Sequence, residues 1–247
     1  MGEADHAGVA ALTDACIREL GDPDRWFTPT GYPQSLALCI IDAIYSTGAR
    51  YSTVENIVRR YREYRAAQDG GADTDGTDEL SATIRELGGP RPWATRIGNL
   101  RPTSTSPGAP LKAEAVARCA ESLTALGIRS TADLRAAAQS AESFDSAKQA
   151  WCVIPGQRSG VTWNYALILA QVPAVKADRM VVNFVARALD RPPAKVAPAH
   201  AAALVRAVSD NQRWNTIRLD HAIWRRESGR PYQSSEGGED VREHHVQ

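Results

Sequence analysis

The sequence predicts an all-α fold, and three observations support this prediction. Apolar residues recur every three or four positions along most of the 247-residue chain, as they do on the buried face of an amphipathic helix. No segment has the apolar–polar alternation that is typical of a half-buried strand. Hydrophobic residues make up 43% of the chain, which is enough for a sizeable core in one large or two small domains.

Helix boundaries follow from capping and stop signals. The first helix is predicted over residues 9–20, because a Gly-Asp-Pro sequence follows it. Residues 34–46 are strongly apolar, and we expect them to form the central buried helix. Ser52 or Thr53 is expected to cap a helix over 52–68, with Glu55 completing a capping box. Eight further helices are predicted over residues 78–87, 112–126, 131–138, 143–152, 162–170, 178–189, 194–208 and 213–226.

Three polar segments are predicted to lie outside these helices. Residues 69–77 are rich in Gly and Asp and lack an apolar anchor, so we expect a mobile loop there. Residues 99–110 are rich in Pro, Ser and Thr and are also expected to form a loop. Residues 234–247 form a polar tail that we expect to be disordered.

The chain carries no net charge, because 29 basic side chains balance 29 acidic ones. This balance argues against indiscriminate nucleic-acid binding and still allows a local basic face. The four cysteines lie far apart without a C-x-x-C pair, so a locally assembled zinc or iron–sulfur site is not expected. No apolar run approaches the length of a membrane span. We therefore expect a cytoplasmic protein without a metal or a cofactor.

A tight turn between two apolar runs is the most informative local feature. Pro155, Gly156 and Gly160 bracket this turn, and a helix is predicted to follow it. Glycine allows the backbone to approach a ligand closely, and the first N–H groups of a helix have no partner within the helix. Such a turn can hold a phosphate without reading bases. Asp178 then opens the next helix; taken alone, an ordinary helix–helix turn and a capping Asp are the better explanation of these residues.

The spacing from Ile154-Pro155-Gly156 through Gly160 and Thr162 to Asp178 resembles that of the helix-hairpin-helix DNA glycosylases. These are base-excision enzymes with an all-α, two-lobed fold. Residues 41–47 resemble the helix that ends in the family's strand-inserting loop, and Lys112 resembles the start of a later helix. The resemblance covers roughly residues 34 to 190.

The resemblance implies a particular domain organisation, that of a divergent monofunctional member. We expect a single two-lobed domain over residues 1–233, followed by the tail 234–247. One lobe would hold residues 34–68 with the C-terminal helices, and the other would hold the hairpin within residues 111–190.

The sequence departs from the family at three places. Arg158 stands where a second Gly is common, and Trp163 stands where a small Ala is usual. Residues 46–50 replace the Gln-rich strand-inserting loop. These departures leave the excised base and the details of its pocket open.

The resemblance also implies roles for individual residues. Asp178 would be the catalytic carboxylate that stabilises the oxocarbenium-like sugar and orients water. The hairpin, residues 156–160, would bind the phosphates of double-stranded DNA through main-chain N–H groups, with side-chain contacts from Arg158 and Ser159. The DNA-binding set comprises Gly156, Gln157, Arg158, Ser159, Gly160 and Thr162.

The resemblance also implies whether the enzyme cleaves the DNA strand. Relatives that nick the strand carry a Lys in the hairpin, and residues 159–162 contain none. We therefore expect hydrolysis to an abasic site without strand cleavage. Lys176, two residues before Asp178, is an alternative amine, although a solvated or phosphate-facing role suits it better.

An extruded base needs a lined pocket and a wedge that fills the gap in the stack. For each aromatic candidate, a core or surface role is the alternative. Asp220-His221 is interpreted as structural, because these residues lie in an amphipathic helix. The candidates for the pocket or wedge are Trp26, Tyr45, Ser46, Tyr51, Trp163 and Asn164.

The sequence leaves several functions open. A monomeric glycosylase could excise a damaged or mismatched base in repair, or a modified base of phage DNA in defence. A non-catalytic DNA-binding module that uses Asp178 only as a cap is one alternative, and a helical interaction scaffold is another. Fold-level likeness does not decide among them.

Overall fold

The computed structural model describes residues 3–234. Within this range the all-α prediction is confirmed: the chain forms twelve α-helices and no β-strand, with only two isolated bridges. Of the predicted disordered tail 234–247, only Ser234 belongs to the described residues. The chain divides into two compact units, a central unit of Thr30–Val172 and a terminal unit of Met1–Pro29 with Pro173–Gln247.

The central unit holds eight of the helices. They are α2 (Leu36–Tyr45), α3 (Tyr51–Ala66), α4 (Thr77–Glu86), α5 (Pro90–Arg96), α6 (Lys112–Ala125), α7 (Thr131–Ala137), α8 (Ala141–Cys152) and α9 (Val161–Leu169). All ten residues of α2 are buried, which confirms the predicted central helix. The helix packs against α3, α4, α6 and α9, so it forms the core of this unit.

The terminal unit holds the other four helices. They are α1 (Glu3–Leu20), α10 (Arg179–Ala188), α11 (Pro198–Gln212) and α12 (Thr216–Glu227). The helix α1 packs chiefly against α11, and α10 packs against α12. Their apolar faces share one core, which includes Leu12, Phe184, Val205 and Leu219.

The division into units differs from the organisation expected from the resemblance. Residues 34–68 lie in the same unit as the hairpin, and the C-terminal helices lie in the other unit. The expected hairpin lobe, 111–190, is divided after Val172. The physical reason is the packing of α2, whose partners α6 and α9 belong to the chain around the hairpin, whereas α10 packs on α11 and α12.

Two local predictions need correction. The helix α5 was not among the predicted helices; its Pro90 occupies the first turn, where a missing N–H costs nothing. The expected capping of the helix over 52–68 by Ser52 or Thr53 is wrong: α3 begins one residue earlier, and its N-cap Arg50 makes no side-chain cap.

Residues 69–77, predicted to be a mobile loop, are held by buried polar contacts. The carboxylate of Asp75 accepts hydrogen bonds from the Tyr61 hydroxyl at 2.8 Å and from the Arg65 Nε at 2.6 Å. Asp75 is 3% exposed, and its carbonyl accepts the Ala37 N–H at 3.1 Å. Hydrogen bonding to this carboxylate raises the pKa of Arg65. The segment is therefore anchored to α2 and α3 by charge and hydrogen bonds instead of by apolar side chains.

No helix among the described residues is long and apolar enough to cross a membrane.

The anchor of the 69–77 segment gives a first testable prediction. Asp75→Ala should lower the free energy of unfolding by about 3–5 kcal/mol, because it leaves the largely buried Arg65 without its partner. Urea denaturation measures this change. Asp73→Ala is the matched control, since Asp73 pairs with Arg62 on the surface and its loss should cost at most about 1 kcal/mol. Equal effects of the two substitutions would contradict the proposed anchor.

Candidate functional site

The hairpin lies in the central unit between α8 and α9. Two of its glycines need their lack of a side chain. Gly156 (φ +82°) and Gly160 (φ +71°) both adopt the left-handed conformation, and Gly160 is the N-cap of α9. A Cβ atom at Gly156 would also lie only 2.8 Å from the Cβ atom of Thr103. The Pro-Gly…Gly pattern therefore forms the tight turn that the sequence predicts.

A chain of buried side chains supports the hairpin from beneath. The Trp151 Nε1 donates to Thr162 Oγ1 at 3.0 Å, and that hydroxyl donates to Gln157 Oε1 at 2.6 Å. The Gln157 amide in turn donates to the Pro155 carbonyl at 3.2 Å. Gln157 and Thr162 are 3% and 4% exposed. Their side chains thus hold the hairpin in its shape and are not presented on its surface.

The outer side of the hairpin presents main-chain N–H groups. Gly156, Arg158 and Ser159 are exposed, and within the described part of the chain their N–H groups have no acceptor. The first N–H groups of α9, at Thr162 and Trp163, belong to buried residues and do not add to this exposed set. An anion at this turn would therefore meet several N–H donors.

Asp178 lies in the terminal unit and is the N-cap of α10. Its Oδ1 accepts the N–H groups of Met180 at 2.8 Å and Val181 at 3.3 Å. Its Oδ2 has no hydrogen-bond partner among residues 3–234, and the residue is half-buried. One carboxylate oxygen therefore serves as the cap while the other is available, so the two roles weighed from the sequence are compatible.

A second carboxyl group that the sequence analysis treated only as structural adjoins Asp178. The Oδ1 of Asp220, on α12, accepts the Lys176 N–H at 2.8 Å, and the Lys176 carbonyl accepts the Asp178 N–H at 2.6 Å. Burial, and to a smaller extent the charge of Asp178, raises the pKa of Asp220 to about 7. The ring of His221 stacks on Trp224 with centroids 5.9 Å apart. Asp220 thus holds the turn that leads into Asp178.

Three of the residues predicted for the base pocket lie in a core. Trp26, Tyr45 and Trp163 are 2%, 1% and 1% exposed. Trp26 packs on Trp214, Tyr45 on Trp93, and Trp163 on Trp151 and Phe144. These three residues therefore have the core role that the sequence left open. They cannot stack on a base unless the surrounding structure rearranges. Ser46 and Asn164 are half-buried, and Tyr51 is 44% exposed.

A different group of polar aromatic residues surrounds a buried acid in the central unit. Asp42, on α2, is 3% exposed and accepts the Tyr32 hydroxyl at 2.9 Å. The Tyr165 hydroxyl on α9 also hydrogen-bonds to Asp42, and burial raises the pKa of Tyr165. Tyr51 lies close enough to contribute to the raised pKa values of both tyrosines. We call Tyr32, Asp42, Tyr51 and Tyr165 the tyrosine cluster.

The sequence contained a signal for both missed acids. Asp42 interrupts an otherwise apolar helix, and Asp220 lies among the apolar residues of the buried face of α12. A charged residue on a buried face is rare unless it is paired or functional. Among the described residues, no group of three or more His, Cys, Asp and Glu is arranged to hold a metal ion.

Comparison with known proteins identifies the family. A family model matches residues 10–228, which is most of the chain. The chain belongs to this family, the domain of unknown function DUF8548. The DUF8548 match runs from within α1 to the end of α12, so it includes the hairpin, Asp178 and helices of both units. No curated protein and no solved structure matches the chain significantly.

Ionisation of Asp220 should make the protein less stable as the pH rises from about 4 to about 7. An unfolded Asp has an ordinary pKa of about 3.9, whereas burial raises the folded pKa of Asp220 to about 7. Between these values the folded state retains a proton that the unfolded state has lost, so the free energy of unfolding falls. Asp220→Asn keeps an acceptor for the Lys176 N–H and should lack this decline.

Urea denaturation at about pH 5 and about pH 8 measures the difference. Asp210→Asn, at an exposed position of α11, is the control and should follow the wild-type pH dependence. If the free energy of unfolding changed equally with pH in the wild type and in Asp220→Asn, a proton on Asp220 in the folded state would be excluded.

Proposed function

We propose that this protein is a monofunctional DNA N-glycosylase. The observation that carries the proposal is the hairpin, whose buried side-chain network leaves main-chain N–H groups directed outward, followed in the chain by Asp178 with one free carboxylate oxygen. The all-α character of the described residues also supports the proposal, whereas the two units differ in composition from the lobes that the resemblance implies. Double-stranded DNA would be the partner, and a cytoplasmic location would suit the activity.

The hairpin would bind the DNA backbone without reading its sequence. Phosphate oxygens accept hydrogen bonds from main-chain N–H groups, and the start of α9 adds the positive end of its helix dipole. The exposed Arg158 would add a charged contact and Ser159 a neutral one. Gln157 and Thr162 would act indirectly, by keeping the hairpin in its shape.

Asp178 would act on the sugar. As the bond between C1′ and the base nitrogen breaks, its electron pair leaves with the base and the sugar becomes positively charged. An ionised carboxylate stabilises this charge and orients a water molecule, whose oxygen bonds to C1′ while its proton is released. The N–H groups of Met180 and Val181 at the start of α10 fix the position of the Asp178 carboxylate. The product is an abasic site.

The absence of an amine in the hairpin supports the monofunctional assignment. Residues 159–162 carry no Lys that could attack the sugar and lead to strand cleavage. The main chain of Lys176 is bonded on one side to Asp220 and on the other to Asp178, and its side chain is half-buried. An enzyme of this kind yields nicked DNA only after alkali treatment, which distinguishes it from a lyase.

The tyrosine cluster supports a revised base pocket. Tyrosine rings offer faces on which a base can stack. Asp42 is itself buried and would hold the Tyr32 and Tyr165 hydroxyls in place, whereas Tyr51 would supply an exposed ring. This assignment replaces Trp26, Tyr45 and Trp163. The excised base could be a damaged or mismatched base in repair, or a modified base of phage DNA in defence.

Asp178→Asn tests the catalytic role. Asn is as good an N-cap as Asp, so the fold should persist, whereas base release should fall by at least about 10²–10³-fold. The assay uses duplexes that each contain one altered base, with alkaline cleavage to reveal abasic sites. Asp190→Asn, beyond the end of α10, is an exposed control that should retain full activity.

The outcomes of this assay separate the candidate functions. Full activity of Asp178→Asn would overturn the assignment of the carboxylate. Salt-dependent binding of the wild type without an abasic product from any duplex would favour the non-catalytic module. No gel shift at low salt would favour the interaction scaffold. Strand cleavage without alkali would contradict the monofunctional assignment.

Tyr51→Ala tests the tyrosine cluster. Stacking on an aromatic side chain contributes about 1–3 kcal/mol per base, so kcat/KM should fall by about 5- to 150-fold. The residue is exposed, and the fold should be unaffected. Tyr64→Ala, on the same helix α3, is the matched control and should retain the wild-type value. An unchanged kcat/KM in Tyr51→Ala would remove this residue from the pocket.

A further inference from the structure

Acidic residues are distributed unevenly along the chain. Although 29 of the 247 residues are Asp or Glu, residues 43–54, 87–113 and 146–172 contain none. All three segments lie in the central unit. They carry the basic residues Arg50, Arg91, Arg96, Arg101, Lys112, Lys148 and Arg158. A chain without net charge thus contains three segments that are purely basic.

Two basic side chains join the second segment to the first. The Nζ of Lys112 donates to the carbonyls of Tyr45 and Thr47, at 3.1 and 2.5 Å. The Arg101 guanidinium lies 3.5 Å from the Gly48 carbonyl. Burial and the neighbouring charge of Arg101 lower the pKa of Lys112 to about 8. The loop after α2 is therefore held against the start of α6.

The same second segment also packs on the hairpin. The contact is close, since a Cβ atom at Gly156 would lie 2.8 Å from the Cβ of Thr103 and 3.1 Å from its carbonyl oxygen. Thr103 belongs to the loop over residues 101–111, which we call the 101–111 loop. This loop thus adjoins both the segment after α2 and the hairpin, and the three acid-free segments meet around it.

The 101–111 loop has a fixed base and an exposed tip. The Thr103 N–H donates to the Pro110 carbonyl at 2.8 Å, and the Lys112 N–H donates to the Arg101 carbonyl at 2.9 Å. A bridge joins Pro102 to Leu111. Residues 104–108 at the tip and Arg101 at the base are exposed. Glu114, the nearest acid along the chain, faces the base of the loop, where its carboxylate accepts the Leu111 N–H at 3.4 Å.

We propose that the 101–111 loop is a second contact for the DNA backbone beside the hairpin. Arg101 would pair with a phosphate, and the hydroxyls of Ser104, Thr105 and Ser106 would donate hydrogen bonds to neighbouring phosphate oxygens. Segments without carboxylates of their own are suited to a polyanion, because Glu114 at the base of the loop is then the nearest like charge along the chain. The inference rests on the proposed function for the identity of the ligand, and it extends the DNA interface to residues outside the hairpin.

Binding of the full-length protein to a short unmodified duplex, measured over a range of salt concentrations, tests this inference. Each lost phosphate contact should reduce the slope of log K against log[salt] by about 0.9, which is about eightfold in affinity near 0.1 M salt. Arg101→Ala should show this loss, and Arg101→Lys should restore the slope. Replacing Ser104, Thr105 and Ser106 by Ala should weaken binding without changing the slope, because hydroxyls displace no counterions.

Arg59→Ala is the matched control, because Arg59 is an exposed arginine of the same unit that pairs with Glu63 on α3. It should leave the slope unchanged. If Arg59→Ala and Arg101→Ala reduced the slope equally, the inference would be overturned, because the loss of one positive charge from the protein would then explain both results. An unchanged slope in Arg101→Ala, with a reduced slope in Arg158→Ala, would overturn the loop contact and leave the proposed function standing. Salt-independent or absent binding of the wild type would overturn both.

Discussion

A fully buried helix cannot leave its terminal backbone groups unpaired, and the central unit is organised around meeting this requirement for α2. At its first turn, the hydroxyl of Ser35 bonds to the main chain of residues 69–77 as well as to the helix itself. At its last turn, the ammonium group of Lys112 donates hydrogen bonds to the carbonyls of Tyr45 and Thr47. The same contacts fix the loops at both ends of α2. The positions of these two loops thus depend on how the ends of α2 are hydrogen-bonded.

Periodicity was sufficient to predict eleven of the twelve helices, because each has an apolar face and most have a local cap or stop signal. The exception, α5, begins with Pro90, and a proline indicates a loop unless it occupies a first turn. Residues 69–77 were misjudged for a different reason. Their anchor is a carboxylate that meets Tyr61 and Arg65, and a pattern of apolar residues contains no information about such a pair.

The candidate site also has features that the sequence predicts and features that it does not. The turn at Gly156 and Gly160 was predictable because its geometry depends on adjacent residues. The tyrosine cluster was not, since Asp42 meets a tyrosine on α9 that is remote in sequence. Asp220 was likewise assigned no role near Asp178, from which 41 residues separate it along the chain. Sequence patterns identify a buried acid as unusual, but its partners follow only from the tertiary fold.

The path of the chain has a consequence for how the protein folds during synthesis. The helix α1 leaves the ribosome before the central unit, whereas its partners α10 and α11 follow after the whole central unit has been made. At a translation rate of about 5–20 residues per second, this interval is roughly ten to thirty seconds. The apolar face of α1, which includes Leu12 and Leu20, is uncovered throughout that time. The helix α1 therefore lacks its packing partners while the central unit is being made.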